Sequence, residues 1–145
     1  MKVVPALALV SALFVSGGVL AKNVAGIYPL QPVLFELSRT AGEGAAPLYF
    51  GKQVTPEIAE RLKVETVTLS GTHRDQQQEV CEKIAVRLLT DLRQRARELG
   101  ADAVVNIRST YNGGGLSSET DFECRLGNVK VAMELSGELV KFKKN

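Results

Sequence analysis

The clearest hydrophobic pattern in this chain is one continuous apolar stripe with helical spacing. Apolar residues recur three and four positions apart, at Val80, Cys81, Ile84, Ala85, Leu88, Leu89, Leu92, Ala96 and Leu99. Charged residues fill the other side, so the pattern predicts one long amphipathic helix. We expect Thr72 or Asp75 to be its N-cap, and Gly100 to end it in a left-handed conformation.

Alternating apolar and polar positions predict strands on both sides of this helix. The predicted strands cover residues 47–51, 63–71, 103–110 and 129–142. The last two should pair antiparallel because a hairpin-like connection joins them, and Gly137 is expected to mark a bulge. Residues 55–62 predict a short helix, since Thr55 suits an N-cap and Pro56 suits the first helical turn.

Together these elements predict an α+β fold. We expect a small sheet of three to four strands, with one long amphipathic helix packed on one face. The predicted single domain covers residues 48–145. Residues 22–47 contain three prolines, and their apolar residues follow no regular spacing, which favours a linker or extended arm. Within it, residues 33–37 are expected to dock as an edge strand.

Residues 1–21 have the pattern of a secretory signal peptide. Lys2 precedes an apolar run, and Val19 and Ala21 suit a signal-peptidase site. A retained membrane anchor is the alternative, although the run is shorter than a bilayer span and Pro5 interrupts it. No cysteine lies near the cleavage site, which excludes a lipoprotein. We therefore expect a cleaved, periplasmic protein without a membrane span.

The charge balance argues against nucleic-acid binding. The chain has a formal net charge of +2, whereas nucleic-acid binding needs a concentrated basic face. The arginines of the predicted helix are interpreted as a solvated face with its own ion pairs.

The sequence predicts neither an enzyme nor a cofactor site. No glycine-rich segment has the spacing of a phosphate-binding loop. The only histidine, His73, lies beside a predicted helix start, where it is interpreted as a cap-region residue. Glu119, Asp121 and Glu123 cluster in a predicted loop where nothing would desolvate one of them for acid catalysis.

Two cysteines, Cys81 and Cys124, are the only ones in the chain. In an exported protein such a pair favours a disulfide. A metal site using these thiols, His73 and nearby acids is the alternative, although the paired spacings of zinc sites are absent.

Residues 111–128 form a long predicted loop rich in glycine and serine. Loops of this length are usually functional or mobile. We take it as the candidate partner-binding loop, with the following contact residues: Tyr111, Asn112, Gly113, Gly114, Gly115, Leu116, Asp121 and Phe122.

The segment "ARELGADAVVNIRSTYN", followed after a loop by "VAMELSGELVK", resembles the YbjQ-type family of heavy-metal-binding domains. The resemblance covers about residues 64–142. It implies a domain that binds a small ligand or heavy metal and can form homo-oligomers. No metal-ligand set of that family maps onto this chain.

The order of elements also resembles the RcsF family of envelope-stress sensor lipoproteins. There, a strand ending in "SG" is followed by a cysteine, a helix and a strand, and a further cysteine precedes the last strand. Cys81 and Cys124 match this cysteine pair by order. This chain lacks that family's lipidation cysteine and its second cysteine pair.

These resemblances imply two functions. The leading hypothesis is an exported, non-enzymatic envelope module that binds a protein partner, with a role in stress signalling. The alternative is a small-ligand or heavy-metal-binding domain of YbjQ type.

Overall fold

The computed structural model describes residues 23–111 and 114–145, which form a six-stranded mixed sheet and two helices. The elements are β1 Val24–Pro29, α1 Gln31–Thr40, β2 Leu48–Phe50, β3 Ile58–Thr72, α2 Gln77–Leu99, β4 Ala103–Ser109, β5 Asp121–Leu126 and β6 Lys130–Phe142. None of the helices in these ranges has the length and apolar character that crossing a bilayer requires.

Strand β6 organises the sheet because it pairs with three other strands. β3 runs antiparallel to it from Thr72↔Lys130 to Ile58↔Phe142. On its other side, β5 pairs with the beginning of β6 and β4 with its second half, both antiparallel. β1 then pairs with β5, and the short β2 runs parallel to β4. The sheet therefore divides into two parts on this side of β6, β5–β1 and β4–β2.

The predicted long helix forms as α2, and its apolar stripe is the centre of the core. Seven of its residues are buried: Cys81, Ile84, Ala85, Leu88, Leu89, Leu92 and Ala96. Gly100 ends the helix at φ 67°, as predicted, and its N–H donates to Arg97 O. The prediction of the N-cap was wrong: Gln76 occupies that position and no side chain caps the helix. Asp75 instead has a positive φ of 63° in the turn before it.

The predicted helix at residues 55–62 was wrong. Residues from Ile58 onward extend β3, and Ile58 and Arg61 pair with Phe142 and Val140 at the end of β6. Thr55 and Pro56 suit a helix start locally, but the backbone bonds to a long neighbouring strand outweigh that weak preference.

The predicted fold class was also wrong, because the sheet has six strands rather than three or four and α1 is a second helix. Residues 24–40, assigned to a linker or arm, form β1 and α1. Residues 33–37 are helical instead of an edge strand, and Val33 and Leu37 are buried one turn apart. The second half of the predicted loop 111–128 forms β5.

The antiparallel pairing of the last strand with 103–110 is confirmed as β4·β6. A bulge interrupts it where Asn106 and Ile107 of β4 face the single residue Gly137 of β6. Asn106 has a φ of 50°, so the extra residue lies in β4. Gly137 is required there because an added Cβ would lie 2.6 Å from Val104 Cγ1.

Candidate functional site

The candidate partner-binding loop divides into exposed and buried parts. Tyr111 and Leu116 are half-buried, and Gly114 and Gly115 are exposed. Asp121 and Phe122 belong to β5, where Phe122 is buried against Tyr28 with ring centroids 5.9 Å apart. Asn112 and Gly113 lie outside the described residues. The exposed loop is therefore 114–120, and Phe122 contributes to the core below it.

Hydrogen bonds hold the end of β4 before this loop and the first part of the loop itself. Thr110 N–H donates to Glu134 O (3.0 Å), and the Thr110 hydroxyl donates to Glu134 Oε1 (2.9 Å). Ser109 and Leu116 exchange two hydrogen bonds, of 2.9 and 3.1 Å. Gly115 makes this approach possible, because it has a φ of 121° and an added Cβ would lie 1.8 Å from Ser109 O.

The rest of the loop packs against the turn that follows β2. An added Cβ on Gly51 would lie 3.2 Å from the carbonyl carbon of Ser118, so this turn and the loop are in close contact. Ser118 Oγ accepts hydrogen bonds from the N–H groups of Thr120 and Asp121, at 3.2 and 3.1 Å. These contacts place the loop between the two parts of the sheet, with Gly51 on the β2 side and β5 on the other.

The end of the loop also contacts the start of α1. Leu30, just before α1, donates its N–H to Thr120 O at 2.8 Å. Little more than one turn further on, Leu34 and Phe35 are exposed, and Phe35 exposes 65% of its surface. We call residues 114–120 together with Leu34 and Phe35 the loop–helix surface.

Leu34 and Phe35 are not among the candidate site residues that the sequence predicts. The available signal was the spacing of Val33 and Leu37, which predicts a short amphipathic helix with Phe35 on the side away from the stripe. The three prolines of residues 22–47, and the lack of a regular apolar spacing over a longer stretch, favoured a linker instead. A large exposed aromatic side chain is a common anchor in protein–protein interfaces.

The disulfide between Cys81 and Cys124 is present, with an S–S distance of 2.09 Å and a Cα–Cα distance of 6.1 Å. Both cysteines are fully buried. The bond joins the beginning of α2 to β5, which otherwise pairs with β6 only at Arg125 and Leu126. It therefore helps to hold β5, and the loop that enters it, against the helix.

The disulfide also bears on the metal-site hypothesis. Its two sulfurs cannot be thiolate ligands while the bond is intact. His73 is buried at the end of β3, where Nε2 donates to Gly127 O (2.9 Å) and the backbone N–H donates to Val129 O (2.9 Å). Within 23–111 and 114–145, no three His, Cys, Asp or Glu side chains lie close enough together to hold a metal ion.

The three acidic residues considered for acid catalysis occupy different settings. Glu119 is exposed in the loop, and Asp121 is half-buried and accepts a hydrogen bond from the Thr120 hydroxyl (2.9 Å). Glu123 is buried on β5, where its carboxylate lies 3.1 Å from Arg125 Nε. Glu123 thus has a cationic partner on its own strand.

The charged side of α2 is only partly the solvated face that the sequence predicts. Lys83 and Arg87 make exposed ion pairs with Glu79 and Asp91 on the same helix. Arg93 instead donates to Ala46 O at 2.9 Å, and burial lowers its pKa. It lines a groove of about 480 Å³ between α1 and α2 and helps to fix the segment that leads into β2.

Arg95, like Arg93, contacts another part of the chain rather than only solvent. It pairs with Glu65 of β3, whose carboxylate also lies 2.7 Å from Lys63 Nζ. The hydrogen bond from Lys63, assisted by that from Arg95, lowers the pKa of the Glu65 carboxyl although burial opposes the shift. This cluster joins α2 to the edge of the sheet.

Comparison of the chain with protein-family models, with curated proteins and with solved structures finds no match in any of the three.

Proposed function

We propose that this chain is an exported, disulfide-stabilised module that binds a partner protein of the cell envelope through the loop–helix surface. In this proposal it is a binding protein rather than an enzyme, and it works in the periplasm after removal of residues 1–21. More specifically, we propose that the partner belongs to an envelope-stress response, as the RcsF resemblance implies.

Two features support the export part of the proposal. Residues 1–21 combine a basic start, an apolar run and a small-residue cleavage site. The Cys81–Cys124 disulfide is of the kind that persists in oxidising compartments and is rare in the cytosol.

The fixed conformation of loop 114–120 is the observation that carries the binding proposal. The loop has no regular secondary structure, yet Ser109, Gly51 and Leu30 each hold a different part of it. A loop already ordered before binding loses less conformational entropy when a partner binds. Phe35 adds an exposed aromatic side chain on α1, five residues after Leu30, whose N–H bonds to Thr120 O, and Ser117 and Glu119 are exposed polar residues of the loop. A rigid polar loop beside an apolar anchor is typical of a protein-binding surface.

Site-specific photo-crosslinking in intact cells tests this proposal. A photo-reactive amino acid replaces Glu119 in the loop or, as the matched control, Glu57, an exposed glutamate before β3. We expect the Glu119 position to give a discrete adduct with another envelope protein, and the Glu57 position to give none. The proposal is wrong if neither position gives an adduct or if both give the same one. A second change, Phe35→Ala, should reduce the yield of the Glu119 adduct without changing the amount of protein.

A further inference from the structure

Strand β3 presents one long edge that pairs with no other strand among the residues that the structure describes. Its other edge is bonded to β6 along its whole length, from Ile58 to Thr72. The unpaired backbone N–H and C=O groups of such an edge can bind another strand. Proteins usually block them with charged side chains, proline or a bulge.

Only the first half of β3 is blocked in this way. Residues 60–65 include four charged side chains, at Glu60, Arg61, Lys63 and Glu65, and the register of β3 with β6 shifts twice in this half. Residues 66–72, "TVTLSGT", carry no charge and no proline, and are rich in the β-branched residues that favour strands. The second half is therefore an unprotected edge.

Exposed apolar side chains lie within this second half of the strand and just before it. Val64 exposes 62% of its surface on the sheet face away from α2, and Leu69 exposes 39% on the face that carries α2. Helix α2 covers the end of this segment closely, since an added Cβ on Gly71 would lie 3.1 Å from Val80 and 3.2 Å from Ile84. A strand added here would be flanked by apolar groups of both the sheet and the helix.

We infer that this edge binds a second copy of the chain, with the two β3 strands pairing antiparallel about Thr68. In that register Thr68 faces its own copy, Val67 faces Leu69, and Val64 faces Thr72. The only charged residue in the paired segment is Glu65, which faces Gly71 and already pairs with Lys63 and Arg95. No like charges oppose each other, and Leu69 is covered by an apolar residue of the other copy.

Charge makes two of the registers centred in the blocked half unfavourable. A register centred on Lys63 would place two copies of Lys63 opposite each other, and one centred on Leu62 would place Arg61 opposite Lys63. Like charges directly opposite each other destabilise a strand pair. The inferred register also leaves α2 of both copies on the same face of a continuous sheet, because an antiparallel pair within one sheet has its two-fold axis perpendicular to that sheet.

Measurement of molar mass in solution tests the inference on the purified protein. We expect the wild-type protein to be a dimer and Thr68→Lys to be a monomer, because two lysines would meet at the two-fold axis. Ala59→Lys adds the same charge to the same strand outside the paired segment and should remain dimeric. An equimolar mixture of Thr68→Lys and Thr68→Glu should form a heterodimer. A wild-type monomer, a dimeric Thr68→Lys or a monomeric mixture would each overturn the inference.

A cysteine variant keeps the test decisive if Thr68→Lys does not fold. Cα atoms directly opposite each other in an antiparallel pair are about 4.5–5.5 Å apart, which is within disulfide range. Thr68→Cys should therefore form a covalent dimer under mild oxidation, whereas Ala59→Cys should not. Equal amounts of covalent dimer from both variants, or none from Thr68→Cys, would contradict the pairing. The loop–helix surface takes no part in these measurements, so their outcome is independent of the proposed function.

Discussion

Ser109 and Leu116 hydrogen-bond to each other in both directions, although they are seven positions apart in the sequence. The Ser109 hydroxyl also accepts a bond from the N–H of Glu123 (2.9 Å), so this one residue connects β4, the loop and β5. The connection crosses the division between the two parts of the sheet. It gives the candidate partner-binding loop a fixed position relative to both.

Two neighbouring glycines provide a matched test of this loop conformation. Gly115→Ala forces a Cβ against Ser109 O and a side chain onto a positive φ, at a cost of about 1–3 kcal/mol, whereas an added Cβ on Gly114 meets nothing within 4 Å. Hydrogen exchange of the Leu116 amide should become faster in Gly115→Ala and stay at the wild-type rate in Gly114→Ala. Unchanged protection in Gly115→Ala would show that the Ser109–Leu116 pair does not fix the loop.

Reduction of the Cys81–Cys124 disulfide should lower the stability of the protein markedly. The bond closes a chain segment of 43 residues, for which the loop-entropy model gives about 4 kcal/mol. The denaturation midpoint should fall on reduction, and proteolysis should increase first in β5 and loop 114–120. A Cys81→Ser/Cys124→Ser variant should match the reduced protein and should not respond to reductant. Equal midpoints for the oxidised and reduced protein would contradict this role.

Two leucines of α2 test the position of the apolar stripe. Leu88 is fully buried, so Leu88→Ala should destabilise the protein by about 2–5 kcal/mol. Leu99 belongs to the same sequence pattern but exposes 47% of its surface at the end of the helix. Leu99→Ala should be close to neutral in chemical denaturation. Similar losses from the two variants would mean that the orientation of α2 is wrong.

The Glu65 cluster should make stability depend on pH in the acidic range. Because the pKa of Glu65 is lowered in the folded state, its contribution is complete above the unfolded pKa of about 4.3. That contribution is lost as the pH falls from there through the folded pKa. Glu65→Gln should flatten this part of the profile of unfolding free energy against pH. The control, Glu60→Gln on the exposed part of the same strand, should keep the wild-type slope; equal slopes for Glu65→Gln and wild type would count against the cluster.

The processing prediction concerns residues outside the described ranges. The Val19-Leu20-Ala21 pattern predicts cleavage after Ala21, so the exported protein should begin at Lys22. Intact-mass measurement of protein from the periplasmic fraction tests this. A mass that still includes residues 1–21 would rule out the cleaved signal peptide.

The parts of the fold that sequence predicted are those with a long or unbroken local pattern. The stripe of α2 extends over many turns, Gly100 supplies a clear end signal, and the alternation from Ala103 onward begins immediately afterwards. β1, β5 and α1 are each short, and their buried positions depend on partners far away in the chain. Phe122 and Cys124 of β5, for example, are buried by Tyr28, β1 and α2 rather than by neighbours in sequence.

The binding role of the candidate partner-binding loop stays a prediction, and the structure adds contacts that the sequence did not predict. A long glycine-containing loop between two strands was evident, but its contacts with Gly51 and Leu30 depend on long-range packing that no local pattern encodes. The same packing buries Phe122 and leaves Phe35 exposed on α1, in a segment that the sequence predicted to be a linker.

In the proposed function, a partner protein recognises the fixed conformation of loop 114–120. The most direct test is the yield of the Glu119 photo-adduct in wild type, Gly114→Ala and Gly115→Ala, at equal amounts of folded protein. We expect the same adduct at similar yield in wild type and Gly114→Ala, and loss of most of it in Gly115→Ala. An undiminished adduct in Gly115→Ala would show that binding does not depend on this loop conformation.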